Sequence, residues 1–447
     1  MGREQRQRLA RVQAVALPGP TSVDTAGAHP WTGHTGGSPL APGALTSSSP
    51  SPDWRQALRD GLAALPPQRH RQLRVYAANP HGAVAAELTP MGGHPLLDLA
   101  SNDYLGLSRH PAVLQAAAAE LTASGLGSGA SRLVSGSRPV HQRLEQALAT
   151  WLGRQGLLLF PSGFQANLAA VTALADRHTL VVADRLVHHS LLAGVRASGA
   201  RLQRFAHNSA ADLEGRLAAA RQRDPGRRLL VLCESLYSME GTSAPLADLA
   251  ALCRRHQAAL LVDEAHALGL LGQGGRGLAH GIEELAIVSG TFGKAFGSGG
   301  AFLAGDQLMI EWLLQHSGAF RYTTALAPPL AAGALAALRW LQEQERGPQP
   351  PGPALLRRAR RWRDGLERAG WPRPPGEGPI LPLLVGGDGH TLALQARLET
   401  AGLLAVAIRP PTVPEGQARL RLVLRRDLPP GTLPRLIAAL GPAPAAP

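Results

Sequence analysis

From about residue 97 onward, short apolar runs alternate with longer segments of helical length. A continuous apolar run of this kind is typical of a strand buried on both faces, and helices between such strands cover a mostly parallel sheet. The pattern therefore predicts an α/β protein. The predicted strands of this sheet are the seven runs at residues 157–160, 180–183, 202–205, 229–233, 259–263, 286–289 and 300–304.

The segments between these runs have the length and composition of helices. Helices are predicted at residues 141–152, 164–174, 190–198, 211–221 and 246–256. After Ala325 the chain becomes Ala- and Leu-rich and then Arg-rich, and shorter elements follow. These are predicted strands at 380–385, 404–408 and 420–424, with helices at 391–401 and 432–440. The C-terminal part is therefore predicted to be a smaller α/β domain.

Composition divides the chain into four predicted parts. Residues 1–50 are rich in Pro, Gly, Ser and Thr and poor in large apolar side chains, so they cannot pack a core and are predicted to be disordered. The other parts are an N-terminal segment at 51–100, a large domain at 101–325 and a small C-terminal domain at 326–447.

The formal net charge of +13 is compatible with a nucleic-acid partner, but the arginines are scattered and no basic stripe is interleaved with aromatic residues. We therefore predict no nucleic-acid binding. No apolar stretch of about 18 residues is present, so no membrane span is predicted. Cys233 and Cys253 lack metal-ligand spacing, and we interpret them as buried, reduced residues of a cytoplasmic protein with no metal site.

Lys294 is the only lysine, and the other 44 of the 45 Lys and Arg residues are arginine. Arginine keeps lysine's charge but neither loses its proton nor forms a Schiff base, so covalent chemistry would explain the exception. A coding bias that erased all other lysines by chance would give the same count. Lys294 follows the predicted strand 286–289 in a glycine-rich loop, where backbone can approach a ligand closely.

Other polar residues also follow predicted strands, at the sheet edge where α/β proteins bind ligands. Asp263 and His266 close one strand, and His188 follows another. Residues 161–164, Pro-Ser-Gly-Phe, lie between a strand and a helix, where free N–H groups suit a phosphate. Each feature also has a plain structural interpretation as a cap, an ion pair or a core histidine.

Taken together, these residues supply an amine, a phosphate cradle, a partner for a protonated ring nitrogen and a flat ring for stacking. Pyridoxal 5′-phosphate requires this set of groups. The sequence therefore predicts pyridoxal phosphate as the cofactor.

The motifs that contain these residues resemble those of the α-oxoamine synthases, a family of fold-type I pyridoxal-phosphate transferases. The resemblance covers about residues 54–440 and implies a large domain with a mostly parallel seven-stranded sheet plus a small domain. Its motifs are residues 101–107 (SNDYLGL), 162–167 (SGFQAN), 262–266 (VDEAH), 291–294 (TFGK) and 409–414 (RPPTVP). The last motif is most similar to the branch that serves biotin synthesis.

The resemblance implies a role for each cofactor-site residue. Lys294 matches the Schiff-base lysine, Asp263 the acid at the pyridine nitrogen, and His266 the partner of the phenolic oxygen. With His188, the stacking ring, these three are the predicted catalytic residues. The predicted cofactor contacts are these four residues with Gly163, Phe164, Ser238, Thr291 and, across a subunit interface, Thr324.

On the substrate side, Arg421 matches the arginine that binds the amino acid's carboxylate, and Thr412 and Arg74 match contacts to the acyl substrate. Asn102 and His188 complete the predicted substrate-binding set. The implied reaction is a decarboxylative condensation of L-alanine with a pimeloyl thioester, carried by coenzyme A or by an acyl carrier protein, in a homodimer. A glycine-using relative and a cofactor-free scaffold are the alternatives.

Two positions depart from the family's pattern. The chain has Asp-Glu-Ala-His-Ala at residues 263–267 where Asp-Asp-Ala-His-Gly is common, and His189 stands where a small residue is usual. Neither departure removes a predicted catalytic group.

Overall fold

A seven-stranded sheet is the largest sheet of the computed structural model, which describes residues 53–78 and 86–443. The extension predicted to be disordered lies outside the described residues. The strands are β1 (Tyr76–Ala78), β2 (Glu87–Pro90), β3 (Leu96–Asp98), β4 (Gly156–Phe160), β5 (Leu180–Asp184), β6 (Arg201–Phe205), β7 (Leu229–Glu234), β8 (Ala259–Asp263), β9 (Ile287–Thr291), β10 (Ala301–Gly305), β11 (Ile380–Gly386), β12 (Leu403–Leu404), β13 (Val406–Ile408) and β14 (Ala418–Val423).

The described helices follow the predicted alternation with these strands. They are α1 (Trp54–Ala63), α2 (Pro111–Ser124), α3 (Pro139–Leu152), α4 (Gly163–Leu174), α5 (His189–Ser198), α6 (Ala210–Arg223), α7 (Leu246–Arg255), α8 (Gln307–His316), α9 (Gly318–Arg321), α10 (Pro328–Glu345), α11 (Pro351–Arg368), α12 (Asp388–Thr400) and α13 (Thr432–Leu440).

The large sheet has the strand order β4-β10-β9-β8-β7-β5-β6. Strands β9, β8, β7, β5 and β6 are parallel, whereas β10 is antiparallel to both of its neighbours. The prediction of an α/β fold with a mostly parallel seven-stranded sheet is confirmed. Because the carboxyl ends of β7, β8 and β9 lie side by side, the polar residues that end these strands meet at one edge.

Both faces of the central strands of the sheet are buried, which explains their continuous apolar runs. In β5, Leu180 and Val182 point into a core shared with α6 and α7, whereas Val181 and Ala183 point into a core shared with α4 and α5. Cys233 lies in the first of these cores, and both cysteines are free and buried.

The C-terminal part contains the antiparallel sheet β11-β14-β13. The predicted strand at 404–408 is divided in the structure, because the chain changes sheets at the buried residue Ala405. Strand β12 pairs in parallel with β3, in a four-stranded sheet of order β1-β2-β3-β12, and β13 pairs with β14. One apolar run of sequence therefore contributes strands to two different sheets. The predicted division into large and small domains stays a prediction.

Helix α1 belongs to a compact unit that ends at Ala64, and the three sheets belong to a second unit that begins at Leu65. Asp53 caps α1, since its side chain accepts a hydrogen bond from the Arg55 backbone N–H at 2.9 Å. Among the described helices, none is long and apolar enough to span a bilayer.

Candidate active site

A cavity of about 210 Å³ lies at the carboxyl edge of the parallel strands. Strands β7, β8 and β9 end at its wall, and the first turns of α4 and α5 face it, which is the usual position of a ligand site in such sheets. The lining residues are Gly163, Phe164, Asn167, His188, Ser190, Glu234, Asp263, Ala265, His266, Ser289, Gly290, Thr291 and Lys294. The structure therefore brings all four predicted catalytic residues together, with three of the other predicted cofactor contacts.

Asp263 ends β8 and is almost completely buried. Its Oδ1 accepts a hydrogen bond from the Ala265 backbone N–H at 2.8 Å, and its Oδ2 accepts one from Asn167 Nδ2 at 2.7 Å. Both oxygens are thus held in fixed directions by protein donors. A buried carboxyl fixed in this way suits a cationic ring nitrogen that enters the cavity.

His188 is connected to Asp263 through two residues that the sequence analysis did not select. Asn167 Nδ2 donates to Ser190 Oγ at 2.9 Å, and Ser190 Oγ lies 2.8 Å from His188 Nδ1. His188 also caps α5, because its Nδ1 accepts from the Ser190 backbone N–H at 3.3 Å. These contacts fix the imidazole ring at the cavity wall. Asn167 could have been found from its spacing, since it follows Gly163 by four residues on one helical face.

Lys294 reaches the cavity from the loop after β9, and its Nζ lies 2.8 Å from His266 Nε2. Desolvation lowers the pKa of Lys294 to about 8, although the carboxylate of Asp263, and that of Glu234 when it is ionised, act in the opposite direction. A large fraction of this amine is therefore neutral near pH 8, as a base or nucleophile requires.

The loop that carries Lys294 is fixed by a close backbone approach at Gly297. This glycine has φ +59°, and a Cβ there would lie 2.0 Å from the Ser108 backbone N. Only glycine fits both the left-handed conformation and this contact. The lysine loop therefore rests against the turn at Leu107–Arg109 that follows the motif at residues 101–107.

A chain of polar contacts leads from the lysine to the predicted substrate residues. His266 Nδ1 lies 2.6 Å from Tyr104 OH, which in turn lies 3.3 Å from Asn102 Oδ1. Asn102 Oδ1 accepts from Arg421 Nη2 at 2.9 Å, and Arg421 Nε donates to the Ser238 carbonyl oxygen at 2.6 Å. The predicted site residues Asn102, Arg421 and Ser238 therefore join the cavity through this network.

His266 is neutral in this network. Burial lowers its pKa well below the ordinary value, and the charges of Lys294 and Arg421 act in the same direction. A neutral imidazole has one N–H and one acceptor nitrogen. His266 can therefore hydrogen-bond to the Lys294 amine without placing a second positive charge beside that amine.

The first turn of α4 also lines the cavity. Ser162 caps this helix by accepting from the Gln165 backbone N–H at 3.3 Å, which leaves Gly163 and Phe164 with N–H groups that have no intrahelical acceptor. Thr291 is adjacent, since a Cβ on Gly163 would lie 3.6 Å from the Thr291 Cβ. Helix N-termini of this kind bind phosphate.

The donor set fits pyridoxal phosphate. The cavity combines an amine of lowered pKa, a buried carboxyl, a neutral histidine, an imidazole at the wall and a helix N-terminus. Ser289 and Glu234 also line the wall, and the Ser289 Oγ and Glu234 Oε1 atoms are buried without a hydrogen-bond partner in the described part of the chain. In residues 53–78 and 86–443, no group of three or more His, Cys, Asp or Glu side chains is placed to hold a metal ion.

Of the predicted residues outside the cavity wall, Asn102, Ser238 and Arg421 are joined to it by the network above, and three others are not. Arg74 pairs with Glu399, at 2.5 Å between Nη1 and Oε1, and Thr412 Oγ1 accepts from Arg71 Nη2 at 3.2 Å. Thr324 is exposed. Their roles toward the acyl substrate and the cofactor therefore stay predictions.

The sequence analysis also did not select Glu234, Ser289 and Tyr104 as site residues. Glu234 is the last residue of β7, and Ser289 is the last residue of the predicted strand at 286–289, although β9 continues to Thr291. The strand-end rule that selected Asp263 therefore applies to them as well. Tyr104 touches His266 across 162 positions of sequence, and spacing carries no signal of such a contact.

A profile described as aminotransferase class I and II matches residues 94–440. The chain therefore belongs to this family, whose members are pyridoxal-phosphate-dependent enzymes of fold type I. A curated relative from Alkalilimnicola ehrlichii, named 8-amino-7-oxononanoate synthase, is 44% identical over 359 residues, or 78% of this chain and 88% of the relative. A relative of the same name from Nitrosococcus oceani is 43% identical over 363 residues, or 80% and 94%.

A solved structure with the same fold is a serine palmitoyltransferase variant from S. paucimobilis with a bound PLP–myriocin aldimine. It superposes with a TM-score of 0.77 at 27% identity and covers 87% of this chain and 96% of that chain. The family match and these relatives show that the protein is a pyridoxal-phosphate-dependent acyltransferase, and more particularly an α-oxoamine synthase.

Proposed function

We propose that the protein condenses L-alanine with a pimeloyl thioester and releases 8-amino-7-oxononanoate, carbon dioxide and the free thiol carrier. We further propose that it acts as a cytoplasmic homodimer. The observation that carries the proposal is a single lysine whose pKa is lowered to about 8, set between a buried carboxyl and a chain of contacts that leads to Arg421.

In this proposal, Lys294 holds the cofactor, Asp263 faces its ring nitrogen, and the N–H groups at the start of α4 with Thr291 hold its phosphate. When bound, the cofactor supplies an electron sink for the bond that breaks at the amino acid's Cα. Asp263 keeps the proton on the ring nitrogen, because a carboxylate fixed by two donors accepts a third hydrogen bond from a cation.

The other residues bind the amino acid and move its proton. The Arg421 guanidinium binds the carboxylate of L-alanine, and Asn102 and Ser238 hold that guanidinium in place. The neutral amine of Lys294, freed when the amino group of alanine takes its place on the cofactor, would take the proton from Cα, while the neutral ring of His266 hydrogen-bonds to it. We propose that Thr412 and Arg74 contact the acyl substrate and that Thr324 of the partner subunit contacts the phosphate.

The motif at residues 409–414 favours alanine and a pimeloyl thioester over the glycine-using alternative. Purified enzyme should be assayed with alanine and glycine against pimeloyl, acetyl and succinyl thioesters, on coenzyme A and on acyl carrier protein. We expect turnover with alanine and a pimeloyl thioester. Preference for glycine with acetyl- or succinyl-coenzyme A would overturn the substrate assignment and retain the cofactor.

The covalent role of Lys294 is tested by borohydride reduction of the holoenzyme, followed by peptide mass spectrometry. We expect the reduced cofactor adduct on Lys294, and no adduct or turnover in Lys294→Ala. Lys294→Arg is the matched control, because it keeps the positive charge but not the primary amine. Turnover in either variant would refute the assignment.

A further inference from the structure

Glu234 is a buried acid of the cavity wall that the proposed function does not use. It ends β7 in parallel register with Asp263 on β8, so two carboxyl groups stand side by side at the same sheet edge. The residue is 3% exposed, and its Oε1 is buried without a hydrogen-bond partner in the described part of the chain. Glu234 lines the cavity, and an unpartnered oxygen on a buried acid at this position indicates that the carboxyl group interacts with the ligand.

The surroundings of the two acids decide where the negative charge resides. Asp263 accepts hydrogen bonds from Asn167 and from the Ala265 backbone N–H, whereas Glu234 accepts one from the His188 backbone N–H and its Oε1 accepts none. Two adjacent buried carboxyls do not both ionise readily, and the one with more donors keeps the charge. The proton of the pair therefore resides on Glu234.

The other charged groups around Glu234 agree with this assignment. Burial raises the pKa of Glu234 well above its ordinary value, and the charges of Asp263 and Glu240 act in the same direction. Lys294 and the backbone N–H of His188 act in the opposite direction, but they are outweighed.

We propose that Glu234 is a cofactor-binding residue that keeps its proton in the holoenzyme and donates a hydrogen bond from its carboxyl group to the bound cofactor, while Asp263 alone of the two acids carries the negative charge. The inference rests on the proposed role of Asp263. It also has a consequence for the lysine, since an ionised Glu234 would raise the pKa of Lys294 and reduce its neutral fraction.

The test compares the wild-type holoenzyme with Glu234→Gln and Glu234→Ala. Glutamine keeps the shape and a neutral donor, so we expect Glu234→Gln to bind pyridoxal phosphate with wild-type affinity and to keep the pH midpoint of the holoenzyme's visible absorption. Alanine removes the donor, and we expect an affinity loss of about tenfold, as for one lost hydrogen bond. Glu283→Gln, at an exposed glutamate, controls for the loss of a formal negative charge.

Infrared difference spectra of the wild type against Glu234→Gln provide a direct readout. We expect the C=O stretch of a protonated carboxylic acid in the wild type at neutral pH and its loss in the variant. A carboxylate signal in its place, or a downward shift of the absorption midpoint by a pH unit or more in Glu234→Gln, would overturn the proposal. Unchanged cofactor affinity in Glu234→Ala would also overturn it.

These readouts are independent of turnover. If the enzyme failed to condense alanine with a pimeloyl thioester but showed the expected infrared and affinity results, the proposed substrates would be wrong and the role of Glu234 would stand. Circular dichroism checks that each variant is folded. Should Glu234→Ala not fold, the glutamine variant and the infrared spectrum still decide the question.

Discussion

The acid–base behaviour of Lys294 can be measured directly, because no other side chain carries a primary amine. The cofactor is first removed, and the amine is then labelled by reductive methylation at a series of pH values. Peptide mass spectrometry separates labelling of Lys294 from labelling of the chain's α-amino group. The labelling rate follows the neutral fraction of the amine, so its midpoint gives the pKa.

The expected midpoint is near pH 8, because desolvation lowers the pKa of Lys294 to about 8 from an ordinary 10.5. At pH 8 about half of the amine is then neutral, against roughly 1 in 300 for an ordinary lysine. The neutral fraction of Lys294 should therefore exceed that of an unperturbed lysine by about 150-fold at this pH.

The variant Asp263→Asn tests the direction in which the charge of Asp263 shifts the pKa of Lys294. The carboxyl group of Asp263 raises the pKa of Lys294, so its removal should move the midpoint below that of the wild type. Glu283→Gln removes a distant, exposed carboxyl and should leave the midpoint unchanged. A wild-type midpoint near 10.5, or an upward shift in Asp263→Asn, would refute the reasoning that a desolvated amine beside a carboxyl provides the base.

Two further predictions concern buried charged residues. Arg421→Ala should weaken alanine binding by about 1.5 to 3 kcal/mol, the range for a charge-assisted hydrogen bond, as measured by spectral titration of the holoenzyme. Unchanged affinity would place the carboxylate site elsewhere. Burial raises the pKa of Glu264 to about 7 from 4.5, so the folded state keeps a proton that the unfolded state loses between these values. The wild-type folded state is therefore relatively most stable below about pH 4.5 and loses this stability as the pH rises to 7. Glutamine does not titrate, so the free energy of unfolding of Glu264→Gln should increase relative to that of the wild type by about 2 to 3 kcal/mol between pH 5 and pH 8. Equal pH dependence of both proteins in thermal unfolding would contradict this.

Sequence patterns predicted the large sheet because most of its strands are buried on both faces, the edge strand β6 being the exception. The predicted strand at 259–263 coincides with β8, and the other six predicted strands differ from the observed bounds by one or two residues at an end. The site followed from the same rule, since Asp263 and Lys294 come from neighbouring strands whose carboxyl ends meet.

Contacts between distant parts of the chain could not be predicted in this way. The network that joins Asn102 to Arg421 spans 319 positions, and no local pattern encodes it. The division of the predicted strand at 404–408 was missed for a related reason. Residues on either side of Ala405 are equally apolar, and only the pairing partners show that they belong to two sheets.

The pairing of β3 with β12 restricts how this protein can be dissected. Leu97 and Leu403 are register partners, although more than three hundred residues separate them. A fragment that began at residue 101 would lack β3 and expose the backbone of β12 as an uncovered edge, which favours association with other chains. Such a truncation is therefore expected to aggregate even if every active-site residue is present, and fragment studies should begin before β1.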